Sequence, residues 1–127
     1  PSSLLRGKDD FLCIFDDGEA IRSIMPNFDR LSKIDSRGVI VSAIGTNTDF
    51  VSRFFAPQTG ISEDPVTGSS HTLLIPYWAE VLDKTRLTAY QCSERGGFLN
   101  CELLQNRVLI GGSSARYMDG ELQLFHG

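Results

Sequence analysis

Apolar and polar positions along this chain form short runs, and most runs are bounded by residues typical of turns. Three runs in the first half predict strands over residues 11–15, 39–44 and 50–56, because β-branched and aromatic side chains dominate them. Between the first two, the pattern predicts a short helix over residues 19–25 and a second one capped by Asn27.

A longer helix is predicted over residues 69–82, and apolar side chains lie on nearly every side of it. Such a helix is typical of a protein interior. Pro76 lies within this helix and removes the backbone bond to Thr72, so a kink is expected. A sheet wrapped around the helix would explain its composition, with Trp78 in the core.

After residue 84 the pattern predicts a run of antiparallel strands over residues 87–91, 98–104 and 108–111. A last hairpin is predicted to turn at Asp119 and Gly120, between strands at 115–118 and 122–125. We therefore predict an α+β fold in which an antiparallel, barrel-like sheet surrounds a central apolar helix.

The composition is that of one ordinary globular domain, and 127 residues are enough to bury a core. The net charge of −4 and the lack of a basic run argue against nucleic acid and anionic membranes as partners. No apolar stretch is long enough to span a membrane, and no signal peptide is evident. Because the chain begins at Pro1, we expect the start of the natural polypeptide to lie upstream.

Three cysteines, Cys13, Cys92 and Cys101, lack the spacing of a metal site, and His71 and His126 are isolated. The odd number of cysteines favours a reducing compartment, and we expect a cytoplasmic protein that uses no metal or cofactor. Cys13 and Cys101 are predicted to be buried small apolar residues. Cys92 lies beside a turn, but the sequence offers no base to activate it.

The segment at residues 63–71 carries the candidate chemistry, since it is a tight turn that leads directly into the apolar helix. Pro65 fixes a backbone angle and Gly68 frees one, and nearby hydroxyls can meet the unpaired N–H groups of the helix start. A helix start attracts anions, whereas Asp64 just before it would repel them. This pairing makes sense if Asp64 handles protons on a bound acid, although most such segments only begin helices.

Five blocks of residues in a fixed order decide between these readings. They are residues 54–57 (Phe-Phe-Ala-Pro), 60–61 (Gly-Ile), 63–71 (Glu-Asp-Pro-Val-Thr-Gly-Ser-Ser-His), 76–78 (Pro-Tyr-Trp) and 91–97 (Gln-Cys-Ser-Glu-Arg-Gly-Gly). In order and spacing they resemble the phenazine-biosynthesis PhzF-like family over nearly the whole chain. One small departure is Ser70, where the family usually has alanine.

The resemblance implies a diaminopimelate-epimerase-like fold of two lobes with the active site between them. Residues 1–127 resemble the carboxyl-terminal lobe as a single domain. By the same resemblance, Asp64 and Ser69 are the catalytic candidates, and Thr67, Gly68 and Ser70 are the substrate-binding candidates. The implied reaction moves a carbon-bound proton on a small carboxylic acid, and the main acid/base is a glutamate of the amino-terminal lobe.

Two functions stay open on the sequence alone. The first is the carboxyl-terminal lobe of a cofactor-independent isomerase, in which Asp64 orients and binds substrate more than it acts as primary base. The second is a non-catalytic lobe that serves as a binding or assembly module. In either case we expect the chain to pair with the amino-terminal lobe or with a second copy of itself, because a lone cleft wall exposes apolar surface.

Overall fold

Eight strands and three helices make up the fold in a computed structural model that describes residues 1–125. The strands are β1 (Ser3–Arg6), β2 (Asp10–Ile14), β3 (Gly38–Ile44), β4 (Phe50–Ala56), β5 (Ile61–Asp64), β6 (Arg86–Gln91), β7 (Gly97–Leu103) and β8 (Val108–Gly111). The helices are α1 (Gly18–Ser23), α2 (Phe28–Leu31) and α3 (His71–Leu82), and a 3₁₀ turn spans Pro57–Thr59.

All eight strands join one sheet in the order β1-β2-β3-β4-β6-β7-β8, with β5 paired to β4 beside this path. The sheet is mixed, because β2 pairs with β3 in parallel and β4 pairs with β6 in parallel. The prediction of a purely antiparallel sheet is therefore wrong. The physical reason is that helices lie between the members of each parallel pair, and a helical crossover returns the chain to the same end of the sheet.

The described sheet is open, with β1 at one end and β8 at the other. The α+β class is confirmed, whereas the described residues do not close the sheet into a barrel around a helix. Helices instead cover both faces: α3 packs on one face, and α1 and α2 pack on the other.

The apolar helix α3 is buried on one side only. Its buried side chains are His71, Leu74, Ile75, Trp78 and Ala79. Trp78 is 3% exposed, as the sequence predicts. Thr72, Pro76 and Glu80 are exposed on the opposite side, and Val81 is 54% exposed, so the described sheet does not enclose the helix. Periodicity alone overestimated the burial because it cannot tell which apolar side chains the sheet reaches.

Asn27 caps α2 as predicted, since its side-chain oxygen accepts a hydrogen bond from the backbone N–H of Arg30 at 3.0 Å. The strand predicted at residues 50–56 coincides with β4, and the one at 108–111 coincides with β8. Two strands, β1 and β5, were not predicted. β1 reads Ser-Leu-Leu-Arg, which has no apolar alternation, and every one of its residues is exposed.

The hairpin predicted at residues 115–125 is wrong, because residues 112–125 contain no helix or strand. Their large apolar side chains are exposed, with Tyr117 at 99% and Leu122 at 83%. An isolated hairpin is marginal in water unless it packs on another surface, and this segment packs on none in the described chain. None of the helices described is long and apolar enough to cross a bilayer.

Candidate functional site

The predicted turn lies between the end of β5 at Asp64 and the start of α3 at His71. The hydroxyls there do not cap the helix as predicted. Ser70 occupies the N-cap position without a capping bond, and its hydroxyl donates to the Thr67 carbonyl oxygen at 2.9 Å. The turn closes through its backbone instead, since the His71 N–H donates to the Gly68 carbonyl at 3.1 Å.

Backbone N–H groups of Gly68, Ser69 and Ser70 make no hydrogen bond to any described residue. Gly68 and Ser69 are exposed. A Cβ added at Gly68 would meet no heavy atom within 4 Å, so open space lies in front of this residue. Gly68 is not among the positive-φ glycines, and the prediction that it supplies backbone freedom is wrong. Its small size leaves room beside consecutive unpaired donors, the arrangement that binds anions at helix starts.

Asp64 is half-buried and its carboxylate is held by the turn itself. The Thr67 hydroxyl donates to Asp64 Oδ2 at 2.5 Å. The Thr67 N–H is also engaged, because it donates to Gln91 Oε1 at 2.7 Å. Thr67 is buried, and its hydroxyl and backbone N–H both bond to other residues of the protein. It therefore lies behind the turn rather than on its open side. At Ser70, likewise buried, only the backbone N–H is free.

Gln91 is fully buried at the end of β6 and binds this turn. Its Nε2 donates to the Asp64 carbonyl oxygen at 2.8 Å and to the Thr67 hydroxyl oxygen at 3.0 Å. The sequence predicts Gln91 at the end of a strand, as β6 confirms, but it does not identify Gln91 as a residue of the site. A buried polar side chain at a strand end must find partners, and this requirement is the signal that could have identified it.

Two further residues at the site were missed from the sequence. Arg37 donates from Nη1 to Ser69 Oγ at 2.8 Å and from Nε to Asp10 Oδ1 at 2.9 Å. A second bond from Arg37 to Asp10 makes the pair bidentate. Hydrogen bonding to the Asp10 carboxylate is the main cause that raises the pKa of Arg37. The Arg37 guanidinium therefore lies next to the unpaired N–H groups.

His71 is buried behind the turn and does not face the open side. Its Nδ1 lies 2.7 Å from the Thr67 carbonyl oxygen, and a carbonyl only accepts, so Nδ1 carries the proton. Burial is the main cause that lowers the pKa of His71, while the bond to Thr67 opposes the shift. The ring is buried and engaged with Thr67, so it supports the turn from behind and does not reach its open side.

The other candidates fall outside the site. Trp78 and Tyr77 pack in and against the main core, as predicted. Burial is the main cause that raises the pKa of Cys92, and it raises the pKa of Cys101 to about 11, so neither thiol is activated. Cys101 is buried as predicted, whereas Cys13 is half-buried. His126 lies outside the described residues, among which no cluster of three potential metal ligands occurs.

Two depressions in the described surface have volumes of about 770 and 820 Å³, and neither is lined by Asp64 or Ser69. The candidate site is instead an open surface formed by the turn, Arg37 and the edge of β5. Such a surface can hold an anion from one side, and it leaves the other side of a ligand uncovered.

Comparisons by sequence and by structure both match this chain to phenazine biosynthesis-like proteins. The sequence model of the PhzC-PhzF family, described as phenazine biosynthesis-like protein, matches residues 2–120. An uncharacterized isomerase of Pseudomonas aeruginosa is 49% identical over 124 residues, which are 98% of this chain and 48% of that protein. An uncharacterized isomerase of Halalkalibacterium halodurans is 44% identical, over 94% of this chain and 46% of that protein.

A solved PhzF-family structure from Enterococcus faecalis matches with a TM-score of 0.83 at 50% identity, over 87% of this chain and 42% of that one. A phenazine biosynthesis PhzC/PhzF structure from Clostridium difficile matches with a TM-score of 0.87 at 43% identity, over 98% of this chain and 48% of that one. The chain spans about half the length of the curated relatives it matches.

Proposed function

We propose a function from one premise: this chain belongs to the PhzC-PhzF family of phenazine biosynthesis-like proteins. Relatives in this family are named isomerases. We infer that the chain forms one lobe of an isomerase that moves a carbon-bound proton on a small carboxylic acid, without a cofactor.

The observation that carries this proposal is the row of unpaired N–H groups at Gly68, Ser69 and Ser70. These donors lie at the start of a twelve-residue helix, whose dipole adds partial positive charge. Arg37, which is paired with Asp10, adds a guanidinium group beside Ser69. Together these groups can bind the carboxylate of an acid substrate and hold its α-carbon close to the turn.

Asp64 is assigned the second role, orientation of the substrate and handling of a proton next to the anchor. Its carboxylate already accepts a bond from Thr67, which holds it in one position. Proton transfer between carbon and a side chain requires such a fixed geometry. We do not assign Asp64 as the primary base, because the family resemblance places a glutamate of the other lobe in that role.

A second lobe would cover the open side of this site and bury other exposed apolar surface. The open side of α3 and the apolar side chains of residues 112–125 are surfaces that such a lobe could bury. Exposed apolar area of this kind favours association. The alternative function is a non-catalytic assembly module. It uses the same surfaces but does not require a substrate carboxylate to bind at Ser69.

Titration with a small aromatic carboxylate tests the anchor directly. We expect the backbone amide resonances of Gly68, Ser69 and Ser70 to shift most, because their N–H groups are the free donors. Replacing Ser69 with alanine is expected to weaken binding by about 1 kcal/mol, the contribution of one hydrogen bond. Shifts scattered far from the turn would contradict the proposal and favour the assembly module.

The matched variant is Gly68→Ala. The added methyl group meets no protein atom within 4 Å, so we expect no loss of folding stability from contact. The methyl group enters the open space beside Gly68, and we expect it to weaken carboxylate binding more than Ser69→Ala does. Unchanged binding in Gly68→Ala would place the anion elsewhere.

Association is tested by measuring the mass of the chain in solution. We expect a self-associated species, or a defined complex when a chain that carries the amino-terminal lobe is added. We also expect little or no exchange of the α-proton of candidate acids in heavy water by the isolated chain, because the glutamate is missing. A stable monomer would contradict the pairing, and rapid exchange that Asp64→Asn abolishes would contradict the inactivity.

A further inference from the structure

We propose that Gln91 is a positioning residue that sets the direction of the hydrogen bond between Thr67 and Asp64. Asp64 Oδ2 then accepts the hydrogen bond from the Thr67 hydroxyl, and Oδ1 is the carboxylate oxygen that can contact a substrate. The inference about substrate rests on the proposed function, whereas the hydrogen-bond direction follows from the geometry of the turn alone.

Two backbone groups determine how the Gln91 amide is oriented. The Thr67 N–H only donates, so the Gln91 atom at 2.7 Å from it must be the oxygen. The Asp64 carbonyl only accepts, so the Gln91 atom at 2.8 Å from it must be the nitrogen. The two constraints agree, and the usual ambiguity between the amide oxygen and nitrogen does not arise here.

The orientation of Gln91 then determines the orientation of the Thr67 hydroxyl. Gln91 Nε2 lies 3.0 Å from Thr67 Oγ1, and an amide nitrogen only donates. Oγ1 must therefore accept at this contact and send its single proton elsewhere. Asp64 Oδ2 at 2.5 Å is its acceptor among the described residues.

The consequence for Asp64 is a difference between its two oxygens. Oδ2 accepts the hydrogen bond from the Thr67 hydroxyl, so one of its acceptor sites is already used. Oδ1 makes no hydrogen bond to any described residue, so a proton or a substrate donor is taken there. Since Gln91 is fully buried and uses its oxygen and both nitrogen protons in this network, solvent cannot easily reverse it.

The test is Gln91→Glu, which keeps the shape of the side chain but replaces the donating nitrogen with an oxygen. The Thr67 hydroxyl is then expected to donate to the new carboxylate at position 91, and Asp64 Oδ2 loses its donor. Uniformly ¹³C-labelled protein shows the direction through scalar coupling across the hydrogen bond. In the natural sequence we expect the Thr67 hydroxyl proton to couple to the Asp64 carboxyl carbon, and in Gln91→Glu to the carboxyl carbon at position 91.

The matched control is Gln58→Glu, because Gln58 also joins two segments, donating to the Ile34 carbonyl at 3.3 Å and to Ser36 Oγ at 3.4 Å. It should leave the Thr67 coupling unchanged. Coupling of Thr67 to position 91 in the natural sequence, or no slowly exchanging Thr67 hydroxyl proton, would overturn the proposal.

Thr67→Val keeps the proposal testable if Gln91→Glu does not fold. It removes the hydroxyl acceptor, and we expect the Gln91 side-chain proton that faced it to exchange with solvent roughly tenfold faster, as for a lost hydrogen bond. The other Gln91 side-chain proton, which is hydrogen-bonded to the Asp64 carbonyl oxygen, should stay protected from exchange. Equal change of both protons would refute the assigned direction. None of these measurements needs a ligand, so failure of carboxylate binding leaves them intact and is a separate result.

Discussion

Replacing Trp78 with alanine is expected to lower the free energy of unfolding by about 3–5 kcal/mol, the usual loss for a large aromatic side chain in a core. Trp78 is 3% exposed and stacks on Phe50 with ring centroids 5.9 Å apart. Tyr77 packs against its edge at 5.1 Å. Neighbours on β4 and α3 cannot both move into the space that the indole leaves, so a cavity remains. Chemical denaturation followed by circular dichroism measures the loss, since the variant retains no tryptophan.

The control for this prediction is Trp78→Phe, which separates the packing of the ring from its polar group. The indole Nε1 donates to Ser42 Oγ at 2.9 Å, and Ser42 in turn donates to the Val51 carbonyl at 2.7 Å. Phenylalanine keeps most of the packing but leaves the Ser42 hydroxyl without its donor, and we expect a loss of about 1–2 kcal/mol. Equal losses in the two variants would contradict the assignment of the larger effect to packing.

Replacing Arg37 with methionine is expected to lower the free energy of unfolding by about 3 kcal/mol, because it leaves a buried carboxylate unpaired. Asp10 is 3% exposed, whereas the Arg37 side chain is 37% exposed, which places the effect at the lower end for a broken buried pair. The same variant removes the donor to Ser69 Oγ and a positive charge from the anion site. Carboxylate binding should therefore weaken as well, by roughly tenfold or more.

Two comparisons make this prediction specific. Arg107→Met removes an exposed arginine whose side chain bonds to no described residue, and it should change stability by less than about 0.5 kcal/mol. Adding Asp10→Asn to Arg37→Met should recover part of the lost stability, because no buried charge then remains. A loss below about 1 kcal/mol in Arg37→Met alone would show that water, rather than Arg37, solvates Asp10.

The sequence predicted well those features that depend on neighbours along the chain. The Asn27 cap, β4 and β8 each follow from local residue types, because a cap or a short run of strand-forming residues is encoded within a few positions. The motif turn was also identified from sequence, since it combines turn residues, an acid and a helix start in nine positions. The resemblance of that motif to a family supplied the expected chemistry, which spacing alone left open.

Contacts between residues far apart in sequence decided the rest. The pairing of Arg37 with Asp10 spans 27 positions and that of Gln91 with the turn spans 24, so neither has a periodic signal. The parallel strand pairs and the open side of α3 likewise depend on which strands meet. Sequence by itself determined the local elements and the candidate turn, because short-range propensity and side-chain chemistry are properties of adjacent residues. Only the tertiary structure decided which donors at that turn stay unpaired, because burial and hydrogen-bond partners are properties of the folded chain.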